Sequence, residues 1–496
     1  MAEVAVGRPA ARDYHVNPWL VLVLVCMAQF MVILDATIVN VALPSIQTDL
    51  KMSDSDLQWI VNAYTLMFGG FLLLGGRAGD LAGRKKVFLV GLVVFTTASL
   101  LNGLAPSSEV LIIFRGLQGL GAALIAPAAL SIITATFAEG AERTKAMGVW
   151  AAIAVGGGAV GLVLGGALTE YLSWPWIFFV NVPVGIVAFI LSLRLVPESR
   201  DESAQGKGFD FGGAISITSG LILLVYAIVR SAEKGWGSGE VLGLLAASAV
   251  LIAIFVAIEM RHKAPLVDLA IFSVRTIRGA NIAMLLVASG LFAMFFFNTL
   301  YTQTVLGYSP LQAGLAFIPF TAGIIVGSVL SQVLIPSIGA RDVPVIGLVL
   351  ATLGMLAFLR LDVGGSYWTD LLPGILLCSI GMGLVFVPVT LIATSGVPAE
   401  EAGLASGLFN TSQQIGGALG LAILSTLAAS KTEDVIKSLG GAPDPGDTAH
   451  ALVEGFHVAY IGSAILLAAA AIVLVLMLKR SDVAAVSDGE AAAVPV

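Results

Sequence analysis

The chain is expected to fold as an all-α integral membrane protein of about fourteen spans, with two pseudo-symmetric six-helix halves and two further helices between them. Three observations predict this: the composition, the length and number of the apolar runs, and an internal repeat. Of 496 residues, 58% are hydrophobic and 11% charged, and mean hydropathy is +0.97. Soluble domains carry about a quarter charged residues, so this composition places the chain in a bilayer. The net charge of −7 comes largely from loop and tail acids such as Asp482, Asp488 and Glu490 and argues against nucleic-acid binding.

Apolar segments of about 20 residues can each cross about 30 Å of hydrocarbon. They fall at 18–42, 55–76, 86–104, 108–137, 146–171, 175–195, 211–230, 241–260, 280–305, 311–336, 343–360, 370–392, 402–429 and 455–478. An even number of spans returns both ends to one side. Loops on that side carry 18 of the 25 Lys and Arg, counting Arg8 and Arg12, against 6 on the other, while Arg115 lies within a span. By the positive-inside rule both termini are expected in the cytoplasm and the chain in the cell membrane. A polar stretch, 1–17, leads straight into a full-length span, so no cleavable signal peptide is expected. Cys26 and Cys378 both fall within spans with no CxxC pair, which indicates neither a disulfide framework nor a metal site.

Sliding the chain by 259 residues aligns Glu142–Leu162 with Glu401–Leu421 without a gap, with eight identities in 21 positions. Four are glycine pairs: Gly148 with Gly407, Gly157 with Gly416, Gly158 with Gly417 and Gly161 with Gly420. The copies are spans 5 and 13, which cross in the same direction, as parallel repeats do. An offset of eight spans leaves two extra between six-span halves. The expected division is a tail over 1–17, a first half over 18–196, a linker with two central helices over 197–270, a second half over 271–480 and a tail over 481–496. Pro197–Asp210 and Arg261–Asp268 read as linkers, and Ser231–Glu240 and Lys431–Glu454 as solvated connectors on the opposite side.

Four motifs carry the functional reading. Asp35 sits inside the first apolar run, in Leu34-Asp35-Ala36-Thr37-Ile38-Val39-Asn40. A carboxylate near the middle of a span costs at least about 2.5–3.5 kcal/mol on insertion scales, so it marks an ion or substrate path unless it only bonds a neighbouring helix. Arg115, in Arg115-Gly116-Leu117-Gln118-Gly119, is the one base well inside a span. At 1.5 Å rise per residue, Asp35 and Arg115 both lie about 12–13 Å below the outer surface and could pair. A guanidinium favours the charged carboxylate and burial the neutral one, so such a pair could poise Asp35 to take or release a proton; a static ion pair is the alternative. Between spans 2 and 3, Gly76-Arg77-Ala78-Gly79-Asp80-Leu81-Ala82-Gly83-Arg84-Lys85-Lys86 is a glycine turn with one acid and several bases, readable as a positive-inside anchor or a charge lock. Span 5 holds Gly157, Gly158, Gly161, Gly165 and Gly166, a face on which another helix could pack closely or slide.

The loop resembles the cytoplasmic signature of the major facilitator superfamily, with Leu81 where a base is usual. The span 5 glycines resemble that superfamily's antiporter signature, with Leu162 where proline is usual. Together with Asp35 in Leu34–Pro44, Trp174–Pro183 and Gly403–Gly417, they make residues 18–480 similar to the fourteen-span drug:proton antiporter family. The resemblance implies alternating access and proton-driven export of small lipophilic compounds, with no cofactor beyond the proton-motive force. It implies that Asp35 carries the proton and Arg115 tunes it, that Gly76, Asp80, Gly83 and Arg84 govern gating, and that Gly157, Gly161, Gly165 and Gly166 form the antiporter face. Candidate cavity residues are the polar and aromatic side chains of the spans: Gln29, Asn40, Asn62, Tyr64, Gln118, Asn298, Tyr301, Gln303, Asn410, Gln413 and Gln414. Phe295, Phe296 and Phe297 cannot all face one cavity, so one is expected to meet lipid. The expected partners are the substrate, protons and membrane lipid, with the protein acting as a monomer.

A proton-coupled transporter of an endogenous metabolite is the rival reading. A lipid flippase or membrane enzyme is less favoured: the sequence shows no metal-ligand cluster and no phosphate-binding glycine loop, and its histidines, His15, His262, His450 and His457, stand apart.

Overall fold

Fourteen helices of membrane length organise the described residues, which in this computed structural model are 17–137, 140–199, 210–262, 265–394, 402–439 and 444–483. Arg8, Arg12, His15, Asp488, Glu490, Glu401 and most of the Pro197–Asp210 linker lie outside them. The helices are α1 (Pro18–Leu50), α2 (Trp59–Ala82), α3 (Arg84–Gly103), α4 (Ser108–Thr136), α5 (Ala141–Tyr171), α6 (Trp176–Leu195) and α7 (Phe211–Lys234). They continue with α8 (Gly239–Glu259), α9 (Arg275–Val305), α10 (Pro310–Ile338), α11 (Asp342–Arg360), α12 (Tyr367–Thr394), α13 (Ala402–Ser438) and α14 (Pro445–Met477). Thirteen are long and apolar enough to cross a membrane; α5, with 31 residues, has the length. The chain is a multi-pass membrane protein.

The packing repeats itself. In the first half α1 packs on α5 and α6, α2 on α4, and α3 on α4 and α6; eight helices later α9 packs on α13 and α14, α10 on α12, and α11 on α12 and α14. The halves meet along two seams, α2 against α13 and α5 against the start of α10. Helix α7 lies over the first seam, touching both α2 and α13, while α8 packs on α7 and is otherwise turned outward.

Small residues set these approaches. A Cβ on Gly157 would come within 3.0 Å of Ile33, and one on Gly165 within 2.7 Å of the Ile38 carbonyl, so α5 can lie on α1 only through glycine. On the repeat copy, Gly416 and Gly420 admit the backbone of α9 at Leu285 and Ser289 in the same way. With leucine rather than proline at 162, the backbone N–H is retained and α5 runs unbroken from Ala141 to Tyr171.

Several sequence expectations need correction. Helix α1 runs through Pro44 to Leu50, well past the expected end at 42. The supposed connector 431–454 is largely helical: α13 reaches Ser438 and α14 starts at Pro445. Good helix formers, a Lys437–Glu433 pair at 2.6 Å and an Asp444 capping box account for that. The connector Ser231–Glu240 likewise shrinks to the few residues between Lys234 and Gly239. Phe296 and Phe297 are buried and Phe295 packs on Phe317 and Phe320 with ring centroids 5.5 and 4.8 Å away, so the phenylalanine run is taken up by protein.

Taking the side on which α1 starts as the near side, the halves are joined on the far side. Glu170 of α5 accepts hydrogen bonds from the Ser309 hydroxyl (2.5 Å) and the Leu311 N–H (3.0 Å) at the start of α10. Gln303 of α9 donates to the Val41 carbonyl of α1 (2.8 Å), and Ser425 of α13 donates to Gln58 at the head of α2 (2.6 Å). On the near half of α5, Gly148 and Gly156 have no described neighbour within 4 Å of a Cβ position.

Candidate functional site

Asp35 and Arg115 form one ion pair, fully enclosed in the first half. The Arg115 Nη1 donates to Asp35 Oδ2 at 2.6 Å, and the two side chains are 1% and 0% exposed. Four helices besides α1 supply the surrounding groups. From α4, Gln118 Nε2 donates to Asp35 Oδ1 (2.7 Å); from α6, Asn181 Nδ2 donates to the same oxygen (2.8 Å). Asn102 of α3 donates through Nδ2 to Gln118 Oε1 (2.7 Å), which also accepts from Arg115 Nη1 (2.8 Å). Ser99 of α3 accepts from Asn181 (3.1 Å) and donates to the Phe178 carbonyl (2.9 Å). From α2, the Ile60 carbonyl accepts from Arg115 Nε (3.0 Å), and the guanidinium lies over the Tyr64 ring, 4.4 Å from its centroid.

Local sequence explains the convergence. Gln118 follows Arg115 by three residues, one turn on, so both reach the same place. Gly119 lets α4 touch the backbone of α2 at Tyr64, which brings the guanidinium onto that ring. Three donors converge on the carboxylate and the charge is matched by one cation. An ionised pair is therefore tolerable without water, whereas either partner alone would be a buried uncompensated charge.

The eleven cavity candidates divide by place. Tyr64 and Gln118 belong to the ion-pair cluster. Asn298 and Tyr301 are buried in the second half, where Tyr460 donates to Asn298 (2.6 Å) and Tyr301 to the Asp362 carbonyl (2.8 Å). Asn62 is buried on α2 with both side-chain polar atoms unpartnered. Gln29, Asn40, Gln303, Gln413 and Gln414 are half-buried and Asn410 is exposed. Sequence reasoning did not select Asn102, Ser99 or Asn181. An amide or hydroxyl in a span is weak by itself, and the usable sign was several polar residues at matching depth on α3, α4 and α6.

In the glycine turn, Gly83 has φ 109° and closes α2 with its N–H on the Gly79 carbonyl. Arg84 reaches Asp80 only at 3.5 Å and also the Ser131 carbonyl at 3.4 Å. The segment that follows α6 holds the turn more firmly: Glu198 accepts from the Lys85 N–H (3.2 Å), and the Ser199 carbonyl accepts from the Arg84 N–H (2.9 Å). Gly76 faces Pro127 of α4. Across the second seam, Gly166 of α5 abuts Pro310 and Leu311 of α10. Among the described residues no group of three or more His, Cys, Asp or Glu could hold a metal.

Residues 25–421 match the family described as Major Facilitator Superfamily. The chain is 41% identical over 499 residues to the puromycin resistance protein pur8 of Streptomyces alboniger, covering 100% of this chain and 98% of that protein. It is 42% identical over 413 residues to the cephamycin export protein CmcT of Amycolatopsis lactamdurans, covering 83% and 85%. Among solved structures it is similar to a bacterial homologue of the human lysosomal transporter Spinster in an inward-facing, unoccupied conformation, with TM-score 0.66, 18% identity and coverage of 96% and 98%.

Proposed function

The chain belongs to the major facilitator superfamily, and we propose that it exports small lipophilic compounds of the antibiotic class across the cell membrane, driven by protons that bind at Asp35. The observation that carries this reading is the enclosed Asp35–Arg115 pair, tied to α2, α3, α4 and α6 at once. Relatives named for puromycin resistance and cephamycin export supply the substrate class.

The near side is the cytoplasmic side, with both termini there. Far-side bonds from Glu170, Gln303 and Ser425 close the halves, so Asp35 is shut from the outside. Rocking the halves about the two seams breaks those bonds, opens the first half to external water and lets the carboxylate take a proton. Neutral Asp35 no longer balances the charge of Arg115 and holds it only by a weaker hydrogen bond, and return to the near side releases the proton. One charge moving down 100 mV supplies about 2.3 kcal/mol. That is enough for roughly a 40-fold gradient of a neutral substrate, at about 1.4 kcal/mol per tenfold. The half-buried amides Gln29, Asn40, Gln303, Gln413 and Gln414, with Asn410, face the compound. The protein works as a monomeric carrier and not as an enzyme.

The test is proton movement by purified protein in liposomes on adding puromycin, a cephamycin and a panel of lipophilic cations, with Asp35→Asn beside the wild type. A drug-triggered proton signal that disappears in Asp35→Asn is expected. An unchanged signal in the variant sinks Asp35 as the carrier, and silence with every compound points to a metabolite substrate.

A further inference from the structure

We propose that Gln118 and Asn102 form an amide relay that inverts when Asp35 takes up a proton and so weakens the hold of α1 on Arg115. The inference rests on the reading of Asp35 as the proton site and assigns a positioning role to Asn102, a residue that does not touch the carboxylate.

In the ionised state every neighbour of Asp35 is a donor: Arg115 Nη1 on Oδ2, and Gln118 Nε2 and Asn181 Nδ2 on Oδ1. A neutral carboxyl gains an O–H and needs an acceptor, and none of these contacts offers one. The far end of Gln118 can supply one. Its Oε1 accepts from Asn102 and Arg115, while Asn102 Oδ1 is buried with no donor. A side-chain amide has nearly the same shape after a half-turn, with donor and acceptor exchanged. Turning Gln118 puts its oxygen under the new O–H and its Nε2 toward Asn102; turning Asn102 presents the idle Oδ1 to that Nε2. Both amides keep one partner inside the cluster. The only bond formed is O–H on the carboxylate, with the proton taken from hydronium and water left; the amides exchange no protons.

Arg115 bears the consequence. After inversion its Nη1 faces the carbonyl oxygen of a neutral carboxyl and an amide N–H, so its charged bond to α1 is weakened while the Ile60 carbonyl and the Tyr64 face on α2 and the Phe178 ring on α6 still hold it. The charged tie between Arg115 and α1 falls to a neutral hydrogen bond at Oδ2 when the proton binds, while Gln118 keeps α4 on α1 and the ties to α2 remain. A protonation event thereby becomes a mechanical one. The titratable or charged side chains in contact with Asp35 are Arg115 from α4 and, across the guanidinium, Tyr64 from α2. Helices α3 and α6 present Ser99, Asn102 and Asn181, α5 its glycines, and α9 the neutral Gln303.

The two states depend on Asn102 unequally. With Asp35 ionised, Gln118 Oε1 has Arg115 as a second donor, so losing Asn102 leaves it satisfied. With Asp35 neutral, Gln118 Nε2 has Asn102 Oδ1 as its one acceptor in the cluster. Asn102→Leu therefore penalises the protonated state.

The experiment is a pH titration of reconstituted wild type, Asp35→Asn and Asn102→Leu, reading both drug-driven proton movement and side-chain bands in difference infrared spectra. For Asn102→Leu the midpoint of coupled transport should move about one pH unit toward acid, the size of one buried donor left unsatisfied. In the wild type a carboxyl C=O band and side-chain amide bands should appear together with falling pH, and both should vanish in Asp35→Asn. A carboxyl band without amide changes, or a midpoint unmoved in Asn102→Leu, overturns the relay and leaves the proton site standing. Absence of the carboxyl band in the wild type overturns the proton site itself. If Asn102→Leu does not fold, the wild-type infrared pair still decides between these outcomes.

Discussion

The two halves share a scaffold and differ in what they bury. Thr37 of α1 bonds back to the Ile33 carbonyl (3.1 Å) beside Gly161, and Ser289 of α9 bonds back to the Leu285 carbonyl (2.7 Å) beside Gly420. Carrying that register two residues back from each pairs Asp35 with Val287, which is 1% exposed in an apolar cluster. The first half encloses an ion pair and four amides or hydroxyls at mid-depth; the second encloses Tyr460, Asn298 and Tyr301, all neutral. Equal packing with unequal charge separates what the fold needs from what the chemistry needs. Helix approach is a shared property of both halves, and the titratable centre belongs to one.

The sharpest way to break the comparison is to remove one buried group from each half. Arg115→Leu leaves Asp35 enclosed and uncompensated, and should lower stability by about 3–5 kcal/mol. Tyr460→Phe leaves only Asn298 Oδ1 without its donor, and should cost about 1–3 kcal/mol while proton coupling survives. Unfolding midpoints in detergent read the first quantity and liposome assays the second; equal losses in the two variants would erase the asymmetry. Adding Asp35→Asn to Arg115→Leu removes the stranded charge and should return about 0.5–3 kcal/mol through their coupling. It should not return transport.

The shared property is tested by Gly161→Ala and Gly420→Ala. A Cβ on Gly161 collides with Thr37 Oγ1 and lies 3.1 Å from the Leu34 carbonyl, and one on Gly420 collides with Ser289. Overpacking of this kind should cost about 1–3 kcal/mol at either site. Similar losses in both variants would mark the glycine face as scaffold. Loss of transport in Gly161→Ala at unchanged stability would instead make it part of the moving machinery.

Much of this was legible in the chain because the bilayer restricts the alternatives. Spans showed as apolar runs, and the repeat showed as glycines because close backbone approach leaves them no substitute, as at Gly157 and Gly416. Asp35 and Arg115 stood out as charges where charge is costly, and the structure sets them 2.6 Å apart. Asn102, Ser99 and Asn181 did not stand out, since a neutral polar side chain in a span costs little and most serve only to join helices. Helix ends were misjudged where α1 passes through Pro44 and where α13 continues through Lys437, because hydropathy reports the hydrocarbon boundary while the helix follows its own caps and ion pairs. A second copy of the glycine turn also escaped notice, at Gly339-Ala340-Arg341-Asp342.

That second copy allows the finest comparison. Gly83 (φ 109°) and Gly339 (φ 97°) each cap a helix through an N–H on the carbonyl four residues back, Gly79 and Ile335. Each turn is tied to the last helix of its half: Arg84 N–H to Ser199, and Arg341 to Leu478 (3.4 Å), with Arg480 on Asp342 (2.5 Å). Alanine at either site should cost about 1–3 kcal/mol, because a side chain is strained at such a φ. Gly83→Ala should lie at the upper end, since its Cβ would fall 2.5 Å from Glu198 Oε1 and push away the acceptor that caps Lys85. Gly79→Ala, whose Cβ would meet Arg84 Cγ at 3.8 Å, should change stability little and serves as the control within the same turn. Should Gly339→Ala prove the costlier of the two, Glu198 is not what holds the first turn, and the tie between α3 and the end of α6 would rest on the Arg84–Ser199 backbone bond and on Lys85 Nζ, which donates to the Leu193 carbonyl (2.8 Å).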